Sequence, residues 1–100
     1  MYLVRDIMYC KPGQVRPMIQ NFLAMLKLFE KAGMGKMRVM TDVVAEQYWT
    51  IVSEMEVESI DKFMSMKGLD PEVMKQLEPL MKGYHEHVDH GRREIYRIEG

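Results

Sequence analysis

The segment richest in metal-ligating side chains runs from His85 to His90, with the sequence HEHVDH. Imidazole and carboxylate groups are the usual ligands of zinc, iron and nickel. At about 100° per helical residue, His85 and His87 lie about 160° apart, so the three histidines cannot share one face. Glu86, His87 and His90 fit within one sector and form the alternative metal site. The pattern favours a polar helix end, and we expect neither a metal nor another cofactor.

A second candidate is the adjacent pair Arg5 and Asp6 in the apolar first segment of the chain. A buried charge must be paired or neutralised, and Glu94, Arg93 and Arg97 are the cross-strand partners that we expect. Left unpaired in a pocket, the Asp6 carboxylate could instead take a proton from an acidic carbon or phenol of a substrate. Asp6 is therefore the candidate catalytic residue.

Single copies of tryptophan and cysteine add two further candidates. Trp49 either packs in the core or forms a wall on which a flat aromatic ligand stacks. Cys10 has no neighbouring histidine, and we expect it to be a buried, small apolar residue. One cysteine allows no internal disulfide, and the expected compartment is the reducing cytoplasm.

The overall composition limits the classes of protein to which the chain can belong. Its 100 residues make one small domain, 1–100, and its 14 basic against 15 acidic side chains argue against a nucleic-acid partner. No apolar run reaches the length of a membrane span, and the first residues show no signal peptide. Twelve methionines favour either a methionine-rich core or an adaptable pocket.

The first half of the chain predicts strand, helix, strand, strand. Residues 2–10 alternate as a strand that Lys11-Pro12-Gly13 breaks. Apolar residues spaced three and four apart from Val15 to Phe29 then form a helix that ends at Gly33. Residues 36–44 and 48–57 follow as two strands joined by a short connector.

The second half predicts a short helix over 59–67 and a longer one from Pro71 to about residue 90, kinked at Pro79. A last strand covers Arg92 to Glu99. The order β-α-β-β-α-β predicts a ferredoxin-like α+β fold, with a four-stranded antiparallel sheet and helices on one face. Because every strand offers apolar residues to both faces, we expect the uncovered face to pack against a second copy.

Alternation along the third strand defines a candidate pocket. Trp49, Ile51, Ser53 and Met55 face one way, away from Glu54. If this face meets the helices, Trp49 and Ser53 line a ligand site. The side chains that would close over it are Phe22, Leu26 and Phe63.

The turn Lys11-Pro12-Gly13, Trp49 and the closing segment Gly91–Tyr96 resemble the dimeric α/β-barrel superfamily, in particular its NIPSNAP-like and antibiotic-biosynthesis-monooxygenase-like branches. The resemblance implies a homodimer with a pocket between each sheet and its helices. Members include cofactor-free monooxygenases, haem-degrading enzymes and isomerases. The haem-degrading branch has an Asn where Asp6 lies and a His in the helix after the Trp. Residues 59–67 contain no His and depart from that pattern.

Two functional hypotheses follow from the residues and the resemblance. The first is a protein that binds a small aromatic or apolar molecule, as a cofactor-free monooxygenase-like or isomerase-like enzyme. The alternative is a non-enzymatic ligand-binding or structural dimer. A buried, unpaired Asp6 would favour the enzyme, and a space filled by apolar side chains would favour the alternative.

Overall fold

The computed structural model describes residues 1–65, 71–81 and 84–100. The strands and helices follow the predicted order, and the longer helix predicted from Pro71 is described as two segments, 71–81 and 84–87. The elements are β1 (Tyr2–Cys10), α1 (Val15–Lys31), β2 (Met37–Thr41), β3 (Thr50–Val57), α2 (Ile60–Ser65), α3 (Pro71–Met81), α4 (Tyr84–His87) and β4 (Val88–Arg97).

The four strands form one antiparallel sheet in the order β2-β3-β1-β4. β3 lies between β1 and β2, the two strands that α1 connects. This is the split βαβ arrangement. The predicted ferredoxin-like sheet is thereby confirmed.

Helix α1 supplies most of the apolar cover of the sheet. Met18, Phe22, Met25 and Phe29 are buried, as the three- and four-residue spacing predicts. The helix ends before Gly33, whose φ of +75° suits glycine, and the Met34 N–H donates back to the Phe29 carbonyl at 3.0 Å. None of the helices in the described ranges is long and apolar enough to cross a membrane.

Alternation along β1 sends its even-numbered residues to the side of the sheet that the helices cover, here called the helix face. Val4 and Met8 join the core with Ile51 and Met55, their register partners on β3. Ser53 lies between these two on β3 and pairs with Asp6. The side of β3 that carries Ile51, Ser53 and Met55 therefore meets the helices, as the pocket hypothesis required.

The opposite side of the sheet, here called the open face, is more polar than predicted. Ile7 and Val52 pair at its centre. The edge strand β4 adds His90, Arg92, Glu94 and Tyr96 and no aliphatic side chain. On β4, Ile95 points to the helix face opposite Val4, and Tyr96 is the large hydrophobic side chain on the open face, opposite Leu3.

Both predicted strands around residue 45 are too long, since residues 42–49 form a loop. The Thr50 N–H donates to the Asp42 carboxylate at 2.8 Å, and the Thr50 hydroxyl donates to the Gln47 carbonyl at 2.9 Å. These bonds close the loop at its base. Trp49 has a φ of +62° and does not continue β3.

The predicted helix end at residue 90 is also wrong. β4 begins at Val88, and the Lys11 N–H donates to the His87 carbonyl at 2.8 Å. A register shift between Tyr9 and Cys10 lets β4 pair with β1 up to the end of α4. Pro79 lies inside α3. Helix α2 covers Ile60–Ser65, and residues 66–67 of the short predicted helix lie outside the described residues.

The left-handed backbone at Trp49 predicts an unusual order of stability among its substitutions. A residue with a Cβ is disfavoured in this region by about 1–2 kcal/mol, whereas glycine is not. Trp49→Gly should therefore be more stable than Trp49→Ala by about 0.5–1 kcal/mol after the entropic cost of glycine. Urea unfolding followed by circular dichroism measures the difference. At Tyr48, where φ is not positive, alanine should be the more stable variant, and the same order at both positions would contradict the backbone assignment.

Candidate functional site

The Asp6 carboxylate lies on the helix face and is paired with Arg93 of β4, its register partner. Arg93 Nε donates to Asp6 Oδ1 at 2.6 Å, and Arg93 Nη2 donates to Asp6 Oδ2 at 3.1 Å. Two parallel bonds of this kind fix both side chains in one orientation. The predicted cross-strand pairing is confirmed for Arg93, and Asp6 is not the unpaired carboxylate that would favour an enzyme.

Apolar and aromatic groups surround this ion pair. The Arg93 guanidinium carbon lies 5.3 Å from the centroid of the Phe63 ring, and Nη1 lies 3.2 Å from the Met64 sulfur. Ser53 is buried on the other side of Asp6. We call Asp6, Arg93, Ser53, Phe63 and Met64 the Asp6–Arg93 cluster. Phe63 also lines a cavity of about 300 Å³ between the end of α1 and the start of α2.

Solvent reaches the ion pair although the helices cover this face. The side chains of Asp6 and Arg93 remain 27% and 41% exposed. A partly exposed pair contributes only about 0–1 kcal/mol to stability. Both groups are accessible to a small molecule.

Burial and neighbouring charges shift the pKa values of Arg93 and Tyr84. The hydrogen bond to Asp6 raises the pKa of Arg93 above its usual range, although partial burial opposes the shift. Burial raises the pKa of Tyr84, and the negative charges of Asp6 and Cys10 raise it further, whereas Arg93 lowers it. At neutral pH Arg93 is therefore a guanidinium cation and Tyr84 a protonated phenol.

The structure places the three other predicted pocket residues in the core and in the loop. Phe22 is buried in the core, and Leu26 is partly buried against it. Trp49 belongs to the loop of residues 42–49 and therefore does not share a strand face with Ser53. Of the predicted ligand-binding set, Ser53 pairs with Asp6 and Phe63 lies against Arg93, whereas Trp49 lies in the loop.

Trp49 instead lines a cleft of about 450 Å³ between the loop and α1. The loop side of this cleft is formed by Thr41, Asp42, Tyr48 and Trp49. The helix side is formed by Gly13, Val15, Arg16 and Ile19. We call this space the loop cleft.

The alternative metal ligands are dispersed. The His87 Nδ1 lies 2.7 Å from the Gln14 Oε1, and the His90 Nδ1 lies 3.0 Å from the Asp89 Oδ2. His90 is in β4, so the helical angle that grouped it with Glu86 and His87 does not apply. Among the residues that the structure describes, no three His, Cys, Asp or Glu side chains are placed to hold a metal ion. Cys10 is buried as expected, and burial raises the pKa of its thiol.

The open face carries a second polar cluster, centred on Glu54. Arg5 Nε donates to Glu54 Oε2 at 2.7 Å, and Arg38 Nη2 donates to Oε1 at 2.5 Å. Arg5 also lies 3.7 Å from Glu94, which in turn accepts a bond from Arg92 at 3.1 Å. Burial alone would raise the pKa of Glu54, but the bonds from Arg38 and Arg5 outweigh it and lower the pKa.

Sequence reasoning missed the roles of Glu54 and Tyr84. Glu54 was assigned to the correct face but was not expected to pair with Arg5, although both lie at the centre of apolar strands. Tyr84 falls within the longer helix predicted from Pro71 to about residue 90. Its proximity to Asp6 depends on the break before β4, which the helical period does not reveal.

The fold matches those of several solved structures of low sequence identity. A NIPSNAP domain protein from Burkholderia xenovorans superposes with a TM-score of 0.74 at 10% identity, covering 99% of this chain and 95% of that one. A protein described as an antibiotic biosynthesis monooxygenase gives 0.72 at 13%, with complete coverage of both chains. A conserved protein from Methanosarcina mazei Go1 gives 0.72 at 17%, covering 98% and 92%.

These similarities show that the chain shares its fold with a NIPSNAP domain protein and with a protein described as an antibiotic biosynthesis monooxygenase, as the predicted resemblance requires. No protein-family model and no curated protein matches the sequence.

The depressed pKa of Glu54 predicts a pH-dependent contribution to stability. A carboxyl group whose pKa is lower in the folded state stabilises the fold above its ordinary value near 4.5 and loses that contribution as the pH falls through the folded value. Glu54→Gln should lower the free energy of unfolding by roughly 1–3 kcal/mol at neutral pH. The difference from wild type should shrink below about pH 4.5.

Glu56→Gln is the matched control, because Glu56 lies on the same strand and face but is exposed. Its effect should stay within about 0.5 kcal/mol. Urea unfolding at a series of pH values measures both variants. A Glu54→Gln difference that grows towards acid would contradict the assigned direction.

Proposed function

We propose that the protein binds a small, largely apolar or aromatic molecule at the Asp6–Arg93 cluster, between the sheet and its helices. The observation that carries the proposal is the accessible Asp6–Arg93 pair bordered by Phe63 and Met64. Phe63 and Met64 provide apolar and polarisable surface, and Arg93 donates to an oxygen of the ligand. A ligand with an apolar body and one oxygen satisfies both requirements.

A second candidate function is proton abstraction by Asp6, as in the monooxygenase-like or isomerase-like hypothesis. The observation that favours it is the proximity of three complementary groups: Asp6, Arg93 and Tyr84. Asp6 would take a proton from an acidic carbon, and Arg93 would hold the resulting oxyanion. One of the similar structures is described as a monooxygenase, which supports this candidate. Binding remains the first proposal because Asp6 is already paired.

Two copies of the chain pack through their open faces in the proposed assembly. Ile7 and Val52 provide an apolar centre, and Arg5, Glu54 and Glu94 surround it with charges of both signs. A two-fold axis brings such a patch against itself, and balanced charges allow it to be self-complementary. This arrangement leaves the helix face of each copy to its ligand.

The ligand proposal is tested with 2-tetralone, an aromatic ketone with an acidic carbon. The methyl carbon of Met64, labelled with ¹³C and assigned with Met64→Leu, should shift saturably in NMR spectra. The double variant Asp6→Asn/Arg93→Met removes both charges together and should weaken binding about tenfold, the effect of losing one charge-assisted bond. Arg97→Met, on the same strand, should not change it. An unchanged affinity in the double variant would contradict the site.

The same ketone separates binding from proton abstraction. In D₂O, an enzyme of the second kind exchanges the acidic hydrogens of 2-tetralone, and Asp6→Asn should slow the catalysed exchange by at least about 10²-fold. Binding without accelerated exchange supports the binding function alone. Equal acceleration by wild type and Asp6→Asn would exclude Asp6 as the base.

Light scattering tests the assembly at micromolar concentration. The wild-type protein should have twice the 11.8 kDa chain mass. Val52→Lys places an unpaired charge at the centre of the open face and should give a folded monomer. Val43→Lys adds the same charge on the exposed loop and should remain a dimer. A monomeric wild type would contradict the proposed assembly.

A further inference from the structure

The loop of residues 42–49 exposes a concentration of large apolar side chains. Val43 and Val44 are each 94% exposed, Tyr48 is 83% exposed and Trp49 is 44% exposed. Single exposed apolar residues are ordinary, but several on one short loop mark a contact site. None of these side chains is needed to complete the core.

The loop cleft beside these residues has the size of a small-molecule site. Its volume of about 450 Å³ lies within the usual range for such pockets. Tyr48 and Trp49 provide aromatic surface on the loop side, and Val15 and Ile19 provide aliphatic surface on α1. A planar ring can stack on the indole of Trp49 in this space.

The main chain holds the aromatic wall of the cleft in place. The Cys10 N–H of β1 donates to the Trp49 carbonyl at 2.8 Å, and the next residue, Thr50, is bonded to the Asp42 carboxylate. Trp49 therefore remains at its left-handed φ between two anchored positions. A site held in this way is preorganised and loses little entropy when a ligand binds.

The charged side chains of the loop cleft indicate which substituent an aromatic ligand should have. Arg16 is exposed, and no hydrogen bond or ion pair of its guanidinium is found in the described part of the chain. The carboxylate of Asp42 is engaged by the Thr50 N–H at the strand side. The cation available to a ligand is therefore on the α1 side, where a carboxylate would accept charge-assisted hydrogen bonds.

We propose that the loop cleft binds a planar aromatic carboxylate, with its ring against Trp49 and Tyr48 and its carboxylate on Arg16. The proposal is independent of the Asp6–Arg93 cluster, because it uses none of the residues of that site. It also differs in ligand chemistry, since the cluster already contains a carboxylate on its arginine.

The single tryptophan gives a direct reporter, because the ¹H–¹⁵N spectrum contains one indole signal. This signal should shift saturably with 2-naphthoate and at least about tenfold more weakly with the neutral 2-naphthylmethanol, the expected effect of one charge-assisted bond. Arg16→Gln should remove that preference. Lys27→Gln removes a cation from another part of the same exposed helix surface and should preserve it.

Three results would overturn the proposal. Equal binding of 2-naphthoate and 2-naphthylmethanol to the wild-type protein would remove the role of Arg16. Absence of an indole shift with either compound at millimolar concentration would remove the site. An indole shift that follows protein concentration without any added compound would assign the loop cleft to a second copy of the chain.

Discussion

Two adjacent opposite charges on the central strand constrain the whole sheet. Arg5 and Asp6 cannot neutralise each other across the sheet, because the pleat sends successive side chains to opposite faces. β1 has a neighbour on both sides, so each charge must find a partner on β3 or β4. Arg5 pairs with Glu54 and Glu94, and Asp6 pairs with Arg93. A one-residue slip of either neighbour would move these partners to the wrong face and leave a charge unpaired.

This pairing gives the two faces of the sheet different properties. The helix face combines a largely apolar core with one accessible ion pair, and a polar group held in apolar surroundings orients a ligand strongly. The open face holds a network in which Glu54 serves two arginines. The charged side chains of that network can be hydrated by water. Because they carry both signs, they could also pair with the same face of a second copy in the proposed assembly. The proposed ligand site and the proposed assembly surface thus lie on opposite sides of the same strand, one residue apart.

The sequence was sufficient for the parts of the fold that depend on local periodicity. Alternation defined β1, and the apolar stripe and Gly33 defined α1. The strand prediction was wrong where residue type and backbone conflict. Residue types typical of strands occur at Val43, Val44, Tyr48 and Trp49, but hydrogen bonds of the Asp42 and Thr50 side chains close a loop there. The choice of Arg93 over other cations for Asp6 depends on a register between residues far apart in sequence, which alternation along each strand does not fix.

The accessible Asp6–Arg93 pair also sets a requirement on any ligand of the proposed site. An apolar molecule that covered the pair would displace water and lower the local dielectric, which strengthens the attraction between the two charges. The same covering removes the hydration of every donor that is not already bonded, at a cost of about 1–3 kcal/mol for each one left unsatisfied. A purely apolar ligand therefore loses part of what it gains by burial. A ligand with one oxygen within reach of Arg93 keeps the gain and avoids the loss, so affinity at this site should depend more on that oxygen than on ligand size.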